Sequence, residues 1–512
     1  MEGYVRRRFL AASATAFGAF FLTKTSAIAQ GVGLLQSKHA AAKSAAINWD
    51  VLRKSVKGPV VTSTAPDFAA VRSAMVWNGI KPDRSPDVIV SVTDDDDVVQ
   101  AINFARHNGL KVVVHGGGHT WCGLAVRNGG MTIDLSQLTE SKIDKVSAKA
   151  VMQPIISNRD AARRLGEHGL AFPLGHCPTV KSSGYLLNGG MSWNMGHWGP
   201  ACFSVEAIEF VTAGGKKVTA SAAEHPDLFW AARGCGPGMF AVATRFHLKC
   251  YPLPKAMMSS VYYYSLDDLK EAVRDAVDIG WHKMPETVEL SIFLLQAPPE
   301  LEDKCKKHNG MACMISAVAF ADTKEQGEAA LASLERAPSI AKCLSKTVNQ
   351  DATFEKLFDA SGATWPENHR NLCENQGSNA DPVEVLMALR DKFIQAPSPK
   401  SVVVFCQATG GHNIVRTTKD VALSMDARFY GGIWSIWENA EDDAANKKWH
   451  DEIAGILQPY TSRHYVGETD IAKDHWRARK SFSPEKWKRL QKIRAKYDPT
   501  GLFFGFTGGL NA

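Results

Sequence analysis

The sequence predicts an α+β protein of two domains, and three observations lead there. The chain has 512 residues, beyond the size at which a single hydrophobic core usually stops growing. From about Val60 to Phe246, short β-rich runs alternate with helical patterns. After Pro252 and Pro254 the pattern changes to longer strands and helices, the order expected of a sheet with helices packed on one face.

The elements follow in order. Residues 88–92 (VIVSV) read as a strand, and 98–105 as an amphipathic helix stopped by Asn108-Gly109. The four aspartates 94–97 between them could be read as a calcium loop. Acids at a helix N-terminus, with Thr93 or Asp94 as cap, account for them better. Residues 111–114 are the next strand. Strands are expected at 205–212 and 216–220 around Gly214-Gly215, and at 240–246. Beyond the prolines, regular elements are expected at 259–264, 266–279, 287–295, 314–321 and 401–407. Residues 300–309 and 361–380 read as polar loops that could border a cleft.

Apolar residues make up 45% of the chain and charged ones 22%, an ordinary globular composition. The net charge is +6, and Arg6, Arg7, Arg8 and Lys24 against Glu2 contribute about half of it. The remainder is too weakly basic for nucleic-acid binding. Arg6-Arg7-Arg8-Phe9-Leu10, the apolar stretch to Leu22 and Ala27-Ile28-Ala29 fit a twin-arginine export signal over residues 1–29. The alternative is an uncleaved anchor, but the stretch is short for a bilayer and diluted by Ser, Thr and Gly. A periplasmic or secreted protein without a stable membrane anchor is therefore expected. The ten cysteines show no CxxC and no zinc spacing, so no metal site is expected. Cys305 and Cys313, flanking Asn309-Gly310, are candidates for a hairpin disulfide.

Two segments carry the chemistry. The first, Val113-Val114-His115-Gly116-Gly117-Gly118-His119-Thr120-Trp121-Cys122-Gly123, leaves a strand through a glycine triplet. Its backbone N–H groups, unobstructed by Cβ, can cradle a diphosphate. It lacks the GxGxxG-helix arrangement of a nicotinamide site. The second is Gly175-His176-Cys177-Pro178-Thr179-Val180, followed by Gly184 and by Gly189-Gly190. His119 and Cys177 are nucleophiles able to bond an electrophilic ring, against plainer roles as a turn histidine and a small buried thiol.

Together the segments resemble the FAD-binding domain of the vanillyl-alcohol oxidase superfamily, and specifically its berberine bridge enzyme-like branch. The run Asp227-Leu228-Phe229-Trp230-Ala231-Ala232-Arg233-Gly234 and the tail Tyr497-Asp498-Pro499-Thr500-Gly501-Leu502-Phe503 resemble the same branch. The resemblance implies a PCMH-type FAD-binding domain of two subdomains over 30–254. It also implies an α/β substrate domain with an antiparallel sheet over 255–460, and a segment, 461–512, returning to the FAD domain. It implies FAD held by His115, Gly116, Gly117, Gly118, His119, Thr120, Gly123, Cys177, Thr179, Val180, Gly184, Gly189, Gly190 and Val242, with covalent bonds at His119 and Cys177. A valine at position 180 goes with use of dioxygen in this branch, although a strand valine is also ordinary core.

For catalysis the branch's "Y-x-N-x-x-D" segment is matched by Tyr465-Val466-Gly467-Glu468-Thr469-Asp470, with glycine in place of asparagine. Tyr465 as base and Asp470 follow from it, with Glu468 or His464 available to assist the tyrosine. Glu438, Trp434 and Tyr430 on an alternating aromatic strand, and His412 after Gly410-Gly411, are the other catalytic and substrate candidates; Trp434 and Glu438 should share one face. The region after Val180 has lost glycines and a histidine usual in the branch, and Lys181 could supply charge there instead. The resemblance thus implies an oxidase taking hydride from an alcohol or amine carbon of a small molecule and reducing dioxygen. The alternatives are a dehydrogenase serving a periplasmic acceptor and a flavin-binding protein that has lost catalysis.

Overall fold

The computed structural model describes residues 47–411, 420–474 and 476–506. The chain divides into two units, Met1–Trp49 and Asp50–Ala512, and the elements below belong to the second. The expected export signal and His412 lie outside the described residues. Among the described residues no helix is long and apolar enough to cross a membrane.

Four short strands open the fold: β1 (Val60–Thr62), β2 (Val88–Ser91), β3 (Val112–His115) and β4 (Met131–Asp134). They form a sheet in the order β1-β2-β4-β3, with β4 parallel to both β2 and β3. The helix Asp95–His107 connects β2 to β3, and Asp94 caps it by accepting from the N–H groups of Asp96 and Asp97. The acidic run is thus a helix start, as its charge dictates. Phe503 bridges in parallel to Val112, so the chain end extends this sheet beside the strand that feeds the glycine loop.

Next come β5 (Ser141–Asp144), β6 (Lys149–Met152), the two-residue β7 (Leu170–Ala171), β8 (Val205–Thr212), β9 (Lys217–Ser221), β10 (Ala241–Lys249) and the two-residue β11 (Tyr251–Pro252). Five form an antiparallel sheet in the order β5-β6-β10-β8-β9, and β7 pairs with β11.

The remaining strands are β12 (Ala256–Ser265), β13 (Val288–Gln296), β14 (Met311–Ala321), β15 (Ser345–Ala352), β16 (Arg370–Ser378), β17 (Val402–Ala408), β18 (Phe429–Trp437) and β19 (Arg463–His464). They build an eight-stranded antiparallel sheet ordered β15-β12-β14-β13-β17-β18-β16-β19. Side chains alternate between its faces with period two. Along β13, Val288, Leu290, Ile292 and Leu294 pack into one core with the helices Leu269–His282, Pro382–Phe393 and Asp443–Leu457. The intervening Glu289, Ser291, Phe293 and Leu295 face a cavity. One face of the sheet is structural, and the other is a wall of the site.

Two expectations are corrected here. The stretch 361–380 is no loop: β16 lies inside the large sheet, with Asn371, Glu374, Asn375 and Gln376 buried. Its polar side chains made it look solvated, but its one buried acid is fully partnered. Glu374 takes the hydroxyl of Thr469 at 2.9 Å, pairs with His464 at 2.8 Å and also pairs with Arg477. Cys305 and Cys313 are both buried free thiols, the first ending the helix Glu302–Cys305 and the second within β14.

Candidate active site

A cavity of about 620 Å³ runs between the glycine loops and the open face of the large sheet. The first loop leaves β3, where His115 is anchored through Nδ1 to Asp134 of the neighbouring strand at 2.8 Å. Gly116 and Gly117 then pass so close to the second segment that no side chain fits. A Cβ on Gly116 would lie 2.0 Å from Ser183 Oγ, and one on Gly117 2.3 Å from Lys181 Cγ. Gly118 has φ +69°, which favours glycine.

The second segment is held from behind. The side-chain amide of Asn158 donates to the carbonyl of Cys177 at 2.9 Å, and the backbone N–H of Asn158 bonds the carbonyl of Val180. Asn158 opens the helix Asn158–Gly166, which Ser157 caps through the N–H of Asp160. A regular element thus fixes the Cys-Pro-Thr turn.

The two segments meet at His119. Its Nε2 lies 2.7 Å from Thr179 Oγ1, and its ring stacks on Trp77 with centroids 4.5 Å apart. Burial, with the positive charge of Lys181 adding to it, lowers the His119 pKa to about 3. The imidazole is therefore neutral and nucleophilic at physiological pH. Cys177 lines the same cavity. Burial, reinforced by the charge of Glu468, pushes its thiol up to about 12. It stands as a thiol, so any bond it forms requires a proton acceptor.

Across the cavity, Tyr430 on β18 donates its hydroxyl to Glu468 Oε2 at 2.6 Å, and the side-chain amide of Asn375 on β16 donates to the same oxygen. Burial raises the Glu468 pKa in spite of these donors. Tyr465 lines the cavity beside Tyr430, ring edge to face at 5.7 Å. Burial and then the charge of Glu468 push its phenol upward, so it stays protonated. Nearer Cys177, His176 Nε2 lies 2.7 Å from Glu289 Oε1, and Glu289 Oε2 accepts from the N–H of Asn194. Burial works against the imidazolium of His176, but contact with Glu289 and the charge of Glu468 prevail, and its pKa is raised.

Most expected residues reach this cavity: Gly116–Thr120, Gly123, Cys177, Val180, Gly184, Tyr430, Trp434 and Tyr465 all line it. Thr179 touches it through His119, and His115 supports the loop from the sheet. Six residues are placed differently. Val242 is buried on the reverse side of β10, and Ala241 and Ala243 line the cavity instead, because neighbours on a strand face opposite ways. Gly189 and Gly190 pack against Leu423 and Ala201 outside the lining. Glu438 falls just past the end of β18, where its exposed carboxylate pairs with Lys400 at 2.9 Å and His369 at 3.4 Å. It therefore does not share a face with Trp434. Asp470 is spent on a turn, accepting from the N–H groups of Ala472 and Lys473. His464 turns to Glu374 and away from the cavity.

Sequence reasoning passed over Glu289, His176 as its partner, and the indoles of Trp193 and Trp365. One signal was available: Glu289 and Ser291, at alternate positions of the mostly apolar run 288–295, mark a face apart from the core.

The residues present fit FAD. The glycine loop forms a cradle that a Cβ would block, and Lys181 stands beside it. Ser183 Oγ, Asn188 Oδ1, Trp193 Nε1 and Trp365 Nε1 line the cavity, buried and with no hydrogen-bond partner among the described residues. Buried polar atoms in that state are costly, and a polar ligand relieves them.

Comparison with known proteins agrees. Residues 86–221 match the family described as FAD binding domain. The FAD-linked oxidoreductase nodO of Hypoxylon pulicicidum is 24% identical over 450 residues, 87% of this chain and 97% of its own length. The (R)-6-hydroxynicotine oxidase of Paenarthrobacter nicotinovorans is 26% identical over 466 residues, 88% of this chain and 96% of its own. Among solved structures, BBE-like 1 of Physcomitrella patens superposes with a TM-score of 0.76 at 15% identity, covering 90% of this chain and 99% of that one. The fold is that of the PCMH-type, berberine bridge enzyme-like proteins. The chain carries an FAD-binding domain and is an FAD-dependent oxidoreductase, with FAD-linked oxidoreductases as its homologues.

Proposed function

We propose that the protein is an FAD-dependent oxidase acting on an alcohol or amine carbon of a small molecule, with its flavin tethered through His119 and Cys177. The observation that carries this reading is the neutral His119, stacked on Trp77 and bonded to Thr179 where the two loops meet. When bound, FAD supplies the hydride acceptor and passes the electrons to dioxygen, giving hydrogen peroxide.

The chain's own residues do the rest. The amides of Gly116–Gly118 and the Lys181 ammonium hold the diphosphate. Glu468 takes the proton released from substrate, a role we assign to it in place of Tyr465, whose phenol stays protonated. The apolar sheet face excludes water. Val180 lines the cavity close to the Cys177 turn, and its small side chain leaves room for dioxygen. Twin-arginine export of a folded, already flavinylated protein to the periplasm or beyond completes the reading.

A denaturing gel tests the tether: a yellow band, fluorescent in acid, is expected to migrate with the protein, and a colourless band defeats it. Dithionite-reduced protein mixed with air is expected to reoxidise within seconds. Reoxidation over minutes, with rapid transfer to a dye, means a dehydrogenase instead.

A further inference from the structure

Of the two carboxylates in the cavity, one is satisfied and the other is not. Glu289 has both oxygens engaged, by the imidazole of His176 and by the N–H of Asn194. Glu468 has both of its donors, Tyr430 and Asn375, on Oε2, while Oε1 has no hydrogen-bond partner among the described residues. It also makes no ion pair with any described Lys, Arg or His within 4.0 Å, the usual ion-pair distance. The other cationic groups lining the cavity are committed elsewhere: Lys181 packs along Gly117, and His176 contacts Glu289. A carboxylate held away from water without a cation is costly, so this position calls for a positive charge or a proton from a ligand.

The surrounding wall narrows what that ligand is. Phe293, Leu295, Val402 and Val404 present an apolar floor, and Trp365 stands edge-on to Trp434 with centroids 5.6 Å apart. No described Lys or Arg lies over the ring of Trp193, Trp365 or Trp434. The Trp193 ring already packs against His176, with centroids 4.1 Å apart, so Trp365 and Trp434 are the rings open to a cation from outside. A carbohydrate would bury several hydroxyls against this floor without partners, which is unfavourable for each one.

We propose, resting on the oxidase reading above, that the substrate is an apolar, ring-bearing amine, bound as its ammonium with the nitrogen on Glu468 Oε1. The ring lies on the Phe293–Val404 floor and against the tryptophans. The ammonium proton passes to the Glu468 carboxylate, and the neutral amine that results is the form whose lone pair supports loss of hydride from the adjacent carbon.

Calorimetric binding to the purified full-length holoenzyme tests this without turnover. The probes are 4-phenylpiperidine, a cation at neutral pH, its neutral ether analogue 4-phenyltetrahydropyran, and cellobiose. The amine is expected to bind at least about tenfold more tightly than the ether, or ~1.4 kcal/mol, and cellobiose not measurably. The amine preference should grow as pH rises through the Glu468 titration. In Glu468→Gln the two ring compounds should bind within about twofold of each other. An ether as tight as the amine, a disaccharide that outbinds both, or no binding by any probe overturns the proposal. So does a preference that survives the substitution. The wild-type comparison decides the matter even if the variant fails to fold. Amine preference in a protein without covalent flavin would sink the tether while leaving the substrate class intact. A yellow, oxygen-reactive protein without that preference would do the reverse.

Discussion

His119 Nε2 and Thr179 Oγ1 lie 2.7 Å apart, joining two loops separated by sixty residues in sequence. The contact does more than close the cavity. With the proton on Nε2 donated to the threonine, the imidazole lone pair sits on Nδ1, which has no other hydrogen-bond partner among the described residues. Thr179→Ala should therefore leave a folded protein that carries flavin but bonds it covalently in a reduced fraction of molecules, while Thr179→Ser keeps the bond. Measuring flavin in acid-precipitated protein checks this, and full covalent incorporation in the alanine variant would rule the role out.

Glu468 should show opposite effects on activity and stability. As a proton acceptor it works ionised, so turnover should fall as pH drops through its raised pKa. Glu468→Gln should reduce kcat on the order of 10²-fold or more and remove that acid limb. For folding, the sign reverses. A carboxyl whose pKa is raised in the folded state stabilises it below the unfolded value, and that contribution is lost as pH rises through the folded pKa. The glutamine variant should be as stable as wild type or more so at pH 7, read as its urea midpoint. A large loss of stability there would mean the carboxylate is a structural ion.

The His176–Glu289 pair has a different pH signature. Its imidazole pKa is raised in the fold, so its contribution is complete below the unfolded value near 6.5 and is lost as pH rises through the folded one. Glu289→Gln should cost about 1–3 kcal/mol of unfolding free energy, more at pH 5.5 than at pH 8.5. Equal losses at both values would show that the pair is held by hydrogen bonding alone.

Val180 lines the cavity beside the Cys177 turn. Replacing it by leucine should slow reoxidation of the reduced protein by air at least about tenfold, or ~1.4 kcal/mol in barrier, with little change in anaerobic reduction by substrate. Stopped-flow absorbance separates the two half-reactions, and an unchanged oxidative rate would remove Val180 from the account.

The sequence made local features legible and left distant ones hidden. The glycine loop, the acidic helix start at Asp94 and the alternation along β18 follow from residue type and period, and the structure has each of them. What failed was any judgement that depended on a partner far along the chain. The polar residues of β16 read as loop because His464, Thr469 and Arg477, which satisfy Glu374, lie about ninety residues or more downstream. Glu438 read as a cavity residue because strand alternation was carried one position beyond Trp437, where β18 ends. Glu289 went unnoticed because its meaning comes from His176, which reaches it from another sheet's loop.

Everything proposed for this site turns on a flavin bonded to the chain at His119. Peptide mass spectrometry of the tryptic digest tests it most directly. A peptide containing His119 should carry the mass of FAD and its visible absorbance, the peptide containing Cys177 should show a second attachment, and the first should be lost in His119→Ala. Unmodified peptides at both positions, with free FAD released on denaturation, would contradict it.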